Sequence, residues 1–301
     1  MKRFLAIGEC MVEMAPAPGG LFRMGYAGDT FNTAWYARRL LPADWEVGYA
    51  SAVGDDAISA EMLAFMAQER LETGSVRRLQ GRTVGLYIIT LDAGERSFAY
   101  WRGEAAARSL ADDPGWLSDT LAGRDILFFS GITLAILPPE GRARLCAALS
   151  KARAAGAEVA FDTNLRPRLW RDTAEMRAGL TLGASVASIV LPSFDEEQSL
   201  FGDDSPDATA ERYAEIGAGI VAVKNGAGPL TLHAEGKTRH FRPKPVAEIV
   251  DSTAAGDSFD AAFLAALATG ASLEDAVERA MALAARVIRA PGALAPDLFE
   301  R

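Results

Sequence analysis

Cysteine is nearly absent from this 301-residue chain, which carries only Cys10 and Cys146. Their wide separation gives no zinc-ligand spacing, so two reduced, packed thiols of a cytosolic protein are the expected reading. Histidine is as scarce. His233 and His240 both fall in a polar, hairpin-like stretch, a poor setting for histidine catalysis. Positive charge is also short, with 31 Lys and Arg against 40 Asp and Glu and a net charge of −9. That balance disfavours a nucleic-acid binder, which needs a basic face to neutralise phosphates, and it disfavours docking on anionic membranes. No apolar run approaches a transmembrane span. The stretch Phe4 to Ile7, after Met1-Lys2-Arg3 and before Gly8-Glu9, is too short for a signal peptide. A cytoplasmic location follows as the expectation. An acidic enzyme of this kind that handles anionic substrates must gather its useful cations locally.

Half of the residues are hydrophobic and 24% are charged, an ordinary globular composition. Without repeats or a low-complexity linker, residues 1–301 read as one large α/β unit with a small accessory element. Short apolar runs predict buried strands at Phe4–Ile7, Val47–Ala52, Ile126–Phe129, Glu158–Phe161, Ser188–Leu191 and Ile220–Val223. Between them, helical patterns cover Thr30–Leu41, Ile58–Arg70, Glu140–Ala155, Ala208–Ile216, Ser258–Thr269 and Leu273–Arg289, with Asp257 and Ser272 at N-cap positions. This alternation predicts a parallel sheet wrapped by helices on both faces, a three-layer α/β/α domain.

Two stretches break the rhythm. Residues 10–27 alternate in polarity around Pro16, Pro18, Gly19 and Gly20. Residues 83–101 read as a hairpin, Thr83–Leu91 and Arg96–Trp101, turning at Asp92-Ala93-Gly94. Together they predict a small, discontinuous β-sheet lid. Such a sheet cannot bury both faces alone, so its free face needs a ligand, a partner subunit or both.

The most informative segment is Asp251-Ser252-Thr253-Ala254-Ala255-Gly256-Asp257-Ser258-Phe259, directly before an apolar helix. Small residues at Ala254, Ala255 and Gly256 allow a ligand to approach the backbone. The first N–H groups of the helix lack internal partners and, with the helix dipole, make an anion site. A carboxylate there, Asp257, would repel a resting phosphate unless it has separate work, such as accepting a proton from an attacking hydroxyl. Other segments fall where ligands of open α/β sheets bind, beyond the carboxyl ends of strands. They are Phe161-Asp162-Thr163-Asn164-Leu165-Arg166-Pro167 and Leu191-Pro192-Ser193-Phe194-Asp195-Glu196. Two glycine strings are decoys. Gly217-Ala218-Gly219 precedes a strand instead of opening a helix, and Gly236-Lys237-Thr238 has Thr231 where a P-loop needs its first glycine.

The nine residues from Asp251 resemble the C-terminal motif of the ribokinase (phosphofructokinase-B) family, D-T-x-G-A-G-D, with Ala254 in place of the first glycine. That resemblance implies that Asp257 is the catalytic base and that the amides of Ala254, Ala255 and Gly256 form the anion hole. Gly25-Tyr26-Ala27-Gly28-Asp29-Thr30-Phe31-Asn32 is similar to the family's N-terminal glycine motif, which implies sugar contacts from Gly28 and Asn32, although Ala27 departs from the paired glycines. Ser193 to Glu196 resembles the family's N-x-x-E element, with Ser193 replacing the Asn. This implies an indirect role for Glu196 at Mg²⁺, while for Asp195 a plain acidic helix start explains the residue as well. Lys224, Asn225, Gly226 and Gly228 resemble the nucleotide side, joined there by Asn164, Ser193, Ala254 and Gly256, so ATP and Mg²⁺ are implied.

Gly8-Glu9, Tyr87, Tyr100-Trp101-Arg102 and Asn164-Leu165-Arg166-Pro167 together resemble the family's 2-keto-3-deoxygluconate kinases. In that subfamily, the resemblance implies, Tyr87, Tyr100, Arg102 and Arg166 grip an acidic sugar. Arginine suits the carboxylate with its two-pronged donor, although a solvated strand-end charge also accounts for Arg102 alone. The same chemistry on a neutral sugar, as in fructokinases, is the alternative. A dehydrogenase is disfavoured because no glycine fingerprint follows the first strand, and a dead sugar-binding regulator because Asp257 is intact. The implied partners are a small sugar acid and ATP, without nucleic acid or membrane, and a homo-oligomer through the β-lid.

Overall fold

The computed structural model describes residues 1–92 and 95–300. In chain order its strands and α-helices are β1 Lys2–Ile7, β2 Met11–Ala17, β3 Leu21–Ala27, α1 Asp29–Leu40, β4 Trp45–Val53, α2 Ala57–Gln68, β5 Val76–Arg78, β6 Gly85–Asp92 and β7 Glu95–Trp101. After them come α3 Pro114–Leu121, β8 Ile126–Ser130, α4 Gly131–Ile136, α5 Pro139–Ala154, β9 Glu158–Asp162, α6 Thr173–Val186, β10 Ile189–Val190, α7 Phe194–Phe201, α8 Pro206–Ile216 and β11 Ile220–Val223. The last are β12 Leu230–Ala234, β13 Lys237–Phe241, α9 Ala255–Ala268 and α10 Leu273–Val287.

The main sheet runs β13-β12-β11-β10-β9-β8-β1-β4-β5, parallel except for the antiparallel β11-β12-β13 edge. Successive side chains of a strand leave opposite faces, and here both faces are apolar. Phe4, Ala6, Val47, Tyr49, Ile126 and Phe128 pack with α1, α2, α9 and α10. Leu5, Ile7, Ala50, Ala52, Leu127 and Phe129 pack with α3, α4, α5, α6 and α8. This is the three-layer α/β/α fold that the continuous apolar runs predict. No helix among the described residues is long and apolar enough to cross a membrane.

Each strand run expected from the sequence is a strand, although Ser188–Leu191 shortens to Ile189–Val190, and each helical pattern is a helix within a few residues. Ser272 caps α10 by accepting the Asp275 N–H at 3.1 Å. Asp257 does not cap α9. The helix begins earlier, at Ala255, and the capping position is Ala254, whose backbone is left-handed at φ 60°. Asp257 therefore stands inside the first turn with its side chain free for other contacts.

Residues from the 10–27 and 83–101 stretches supply a second sheet, β3-β2-β6-β7, with β2 and β6 parallel and the outer pairs antiparallel. Of the turn expected at Asp92-Ala93-Gly94, Ala93 and Gly94 lie outside the described residues. The register puts Glu13, Tyr87 and Tyr100 on one face and Met14, Ile88 and Trp101 on the other. On the first face, Met11, Ala27, Tyr87 and Ile89 form a buried cluster with Ala293, against which Ala254 packs. The underside of this sheet therefore rests on the turn before α9.

Candidate active site

The turn before α9 is built by its own side chains. Asp251 accepts the Thr253 N–H at 3.0 Å through Oδ1 and the Gly292 N–H at 2.7 Å through Oδ2. Both contacts force a tight path, and Ala254 completes it in a left-handed conformation that costs an alanine roughly 1 kcal/mol. The Ala255 N–H donates to Ser252 O and the Ser258 N–H to Ala254 O. The N–H groups of Gly256 and Asp257 have no backbone acceptor among the described residues, and they point from the positive end of a 14-residue helix. The arrangement can hold an anion.

Asp257 is buried beside this donor pair. Its Oδ2 accepts the Asn32 Nδ2–H at 2.7 Å, and its carbonyl accepts from Thr33 Oγ1 at 3.3 Å, so α1 and α9 fix it from both sides. Burial, followed by repulsion from Asp29, pushes its carboxyl up to about 8, against the pull of Asn32. A carboxylate with that affinity for a proton is a competent general base near neutrality. Burial also raises Asp29, which accepts the Asn164 Nδ2–H at 2.9 Å. Asn164 holds a left-handed backbone, φ 31°, immediately after β9.

A second charged group underlies this site. Lys224 Nζ lies 3.0 Å from Asp162 Oδ1 and 3.0 Å from Asp260 Oδ1, and both carboxylates are buried. Burial opposes the ammonium, but Asp162 and Asp260 outweigh it and raise the Lys224 pKa. A Cβ on Gly256 would lie 3.6 Å from Lys224 Nζ, so the ammonium sits directly behind the anion site. Sequence reasoning placed Lys224 on the nucleotide side. Its ammonium is instead engaged inward by two aspartates. Asn225 O accepts the Gly228 N–H at 2.7 Å across a turn with Gly226 at φ 52°. Ser193 pairs with Lys224 through an isolated parallel bridge, which brings the loops after β10 and β11 side by side.

One turn before Asn32, Gly28 opens α1. Its backbone lies so close to Glu9 that a Cβ would be 2.2 Å from the Glu9 carbonyl oxygen, which excludes any side chain. Arg102 is not a solvated strand-end charge. Its side chain is 11% exposed, and Nη2 donates to Oε2 of Glu9, itself 1% exposed. The Tyr87 hydroxyl donates to Glu13, and burial raises the pKa of that phenol. The Tyr100 ring lies 5.8 Å from that of Tyr87 and is half exposed, with Arg102 6.0 Å from its centroid. Arg166 has different partners, donating to Glu196 at 2.9 Å and to the Leu165 carbonyl at 2.6 Å. Glu196 also accepts the Leu165 N–H at 2.9 Å, so it binds the β9 and β10 loops together.

Asp29, Asp162, Asp260 and Glu13 are participants that the sequence reading did not single out, and Glu9 entered it only with Gly8 as part of a resemblance, without a role of its own. Asp29 stands one residue from Gly28, which was singled out, and Asp162 ends a strand that was. Asp260 had no signal of its own. Among the described residues no group of three or more His, Cys, Asp or Glu side chains is arranged to hold a metal ion.

A family model described as pfkB family carbohydrate kinase matches residues 1–298. The chain is 39% identical to the 2-dehydro-3-deoxygluconokinase of Dickeya dadantii (strain 3937), over 98% of this chain and 97% of the relative. It is 28% identical to a fructokinase of Salmonella typhimurium, over 98% of this chain and 96% of the relative. Among solved structures, a PfkB protein from Polaromonas sp. JS666 superposes with a TM-score of 0.83 at 27% identity, over 97% of this chain and 98% of that one.

Proposed function

Because the chain belongs to the pfkB family of carbohydrate kinases, we propose that it transfers the γ-phosphoryl group of ATP to the terminal hydroxyl of 2-keto-3-deoxygluconate, also called 2-dehydro-3-deoxygluconate. The observation that carries the chemistry is Asp257. It is a buried carboxylate, raised to about 8, beside the unpaired amides of a helix start. The substrate choice rests on the 39% identity to a 2-dehydro-3-deoxygluconokinase against 28% to a fructokinase, and on two arginines at the cleft.

In this reading Asp257 accepts the proton of the sugar hydroxyl as that oxygen attacks the γ-phosphorus. The bond from phosphorus to the bridging oxygen breaks, and ADP leaves with its electron pair. The amides of Gly256 and Asp257 hold the transferring phosphoryl group, that of Ala255 being engaged by Ser252 O, and Asn32 keeps Asp257 aimed. Asn164, Ser193 and Asn225 to Gly228 line the nucleotide side, with Lys224 bracing the anion site from behind. Mg²⁺ bound with the nucleotide would supply charge neutralisation, and Glu196 would act on it through water. Gly28, Tyr87, Tyr100, Arg102 and Arg166 would grip the sugar acid. A cytoplasmic location, where ATP is plentiful, belongs to the same reading.

The small sheet would serve as a lid. Its underside rests on Ala254, so closure would exclude water, the competing phosphoryl acceptor. Its outer face exposes Phe22, Met24 and Trp101, and a second copy of this chain would cover that apolar surface. A small sheet with one open face opens locally. Hydrogen exchange should therefore find the β6 and β7 amides weakly protected in the free enzyme and better protected with substrate. Equal, high protection in both states would remove the gating role.

ATP consumption measured over a panel of sugars and sugar acids tests the whole reading, and 2-keto-3-deoxygluconate should give the highest kcat/KM. Losing one charged hydrogen-bond partner costs about 1.5–3 kcal/mol, or roughly ten- to a hundredfold in kcat/KM. Arg102→Leu should lose that much on the acid and almost nothing on fructose. A wild type that prefers fructose would overturn the sugar-acid assignment and leave the kinase chemistry standing.

A further inference from the structure

Glu9 and Arg102 meet where three parts of the molecule converge: the end of β1, the Gly28 turn that opens α1, and the end of the lid strand β7. Two of their atoms are buried without any hydrogen-bond partner, Glu9 Oε1 and Arg102 Nε. These atoms belong together. Nε and Nη2 share one edge of a guanidinium, and that edge matches the two oxygens of a carboxylate. Only the Nη2 to Oε2 contact is made. Glu9 thus holds the guanidinium through Nη2, and Nη1, which makes no hydrogen bond among the described residues and is not sealed from solvent, is left for another acceptor.

We propose that Glu9 is the positioning residue for acid recognition: it anchors Arg102 by one edge of its guanidinium so that the other edge faces the substrate's carboxylate. The inference rests on the sugar-acid reading of the site above. Glu9 has no freedom of its own to spoil this. Its backbone is pressed against Gly28, where a Cβ would come within 2.2 Å of its carbonyl oxygen. Its carboxylate lies over Gly85 of the lid, where a Cβ would come 2.7 Å from Oε1. Gly28 thus leaves room for the Glu9 backbone and Gly85 for its side chain. An arginine has several rotatable bonds, and holding it in place before substrate arrives removes part of the ordering cost of binding. Glu9 also pairs with the guanidinium, so a nearly dry cationic side chain is tolerated there.

The test is a double-substitution cycle on KM for 2-keto-3-deoxygluconate, with melting temperatures to confirm folding. Glu9→Gln should raise KM roughly three- to tenfold, because the charged anchor is lost, and leave kcat within about twofold. In the Arg102→Leu background the same change should do nothing further, since Glu9 acts through Arg102. Gly85→Ala, whose Cβ would press on Glu9 Oε1 at 2.7 Å and on Arg102 Cβ at 3.2 Å, should raise KM in the same direction. If Glu9→Gln fails to fold, Glu9→Asp, which draws the carboxylate back from Arg102 and keeps its charge, takes its place with the same expected rise in KM. Losses that add in the double variant, or a fall in kcat with KM unchanged, would make Glu9 a structural residue and overturn the proposal. So would a lower KM in Glu9→Gln, because Glu9 would then be a competitor for Arg102. The wild-type ratio of kcat/KM on the acid to that on fructose is measured in parallel. It tests the sugar-acid reading independently, since it does not involve Glu9.

Discussion

Asp257→Asn should lower kcat by about two to four orders of magnitude, the usual loss on removing a general base, while ATP and sugar still bind nearly as in the wild type. Asparagine keeps the shape and an oxygen that can accept from Asn32 Nδ2, which lies 2.7 Å from the carboxylate, so the site stays assembled without its base. The raised carboxyl, about 8, gives two further signatures. In the wild type kcat/KM should climb between about pH 6 and 9 as the carboxylate forms, against the repulsion of Asp29 and Asp162. That limb should vanish in the variant. Stability should move the other way. The folded state holds a proton on Asp257 that the unfolded chain releases near its ordinary value of 3.8. The stabilisation this provides is therefore present below about pH 4 and lost as pH rises to about 8. Asparagine has nothing to ionise, so the variant should gain on the wild type across that window. By pH 8 it should melt higher by at least a few degrees, about 1 kcal/mol or more. Near-normal turnover in the folded variant would remove Asp257 from the mechanism, and a difference in melting temperature that is flat with pH would remove the buried-carboxylate argument.

Most of the fold was legible because its signals are local. Buried parallel strands read as continuous apolar runs, and Phe4 to Ile7 is such a run with no exposed position. The helix α6 was missed, although Asp172 caps it by accepting the Glu175 N–H at 2.8 Å. Its pattern is obscured by small residues placed for packing: a Cβ on Gly179 would come 2.3 Å from the Trp170 ring, and one on Gly183 2.7 Å from Phe161. Those partners lie outside the helix, and no periodicity announces them. At the site, residues on the backbone turn (Ala254, Gly256, Gly28) were readable because small residues before a helix have few other purposes. The charges were readable only singly. Asp162, Lys224 and Asp260 are spread over 99 positions, and the fold alone brings their side chains together. Ala254 misled in a small way. Its left-handed backbone starts α9 before Asp257, which frees that carboxylate from a capping duty the spacing suggested.

The Lys224 cluster carries the other large effect. In Lys224→Met the cation between Asp162 and Asp260 disappears while both carboxylates stay buried, and breaking such a pair by removing one partner costs about 3–5 kcal/mol. For a chain of this size the melting temperature should fall by on the order of 10 °C. Lys224 also pulls the Asp257 carboxyl down. Without it that carboxyl should bind its proton more tightly, and the alkaline-rising limb of kcat/KM should shift to higher pH. These two shifts separate the buried brace seen here from direct contact with the nucleotide. A lysine that mainly met ATP phosphates would, when replaced, raise the KM for ATP and leave both the melting temperature and the pH limb where they were. The combined variant Lys224→Met/Asp260→Asn sharpens the comparison. Its second change removes one of the stranded carboxylates, so it should recover a substantial part of the lost stability. It should recover little of the activity, because the ammonium behind Gly256 is still missing. If the second substitution instead adds its own loss of stability to the first, the three groups are not acting as one charged unit.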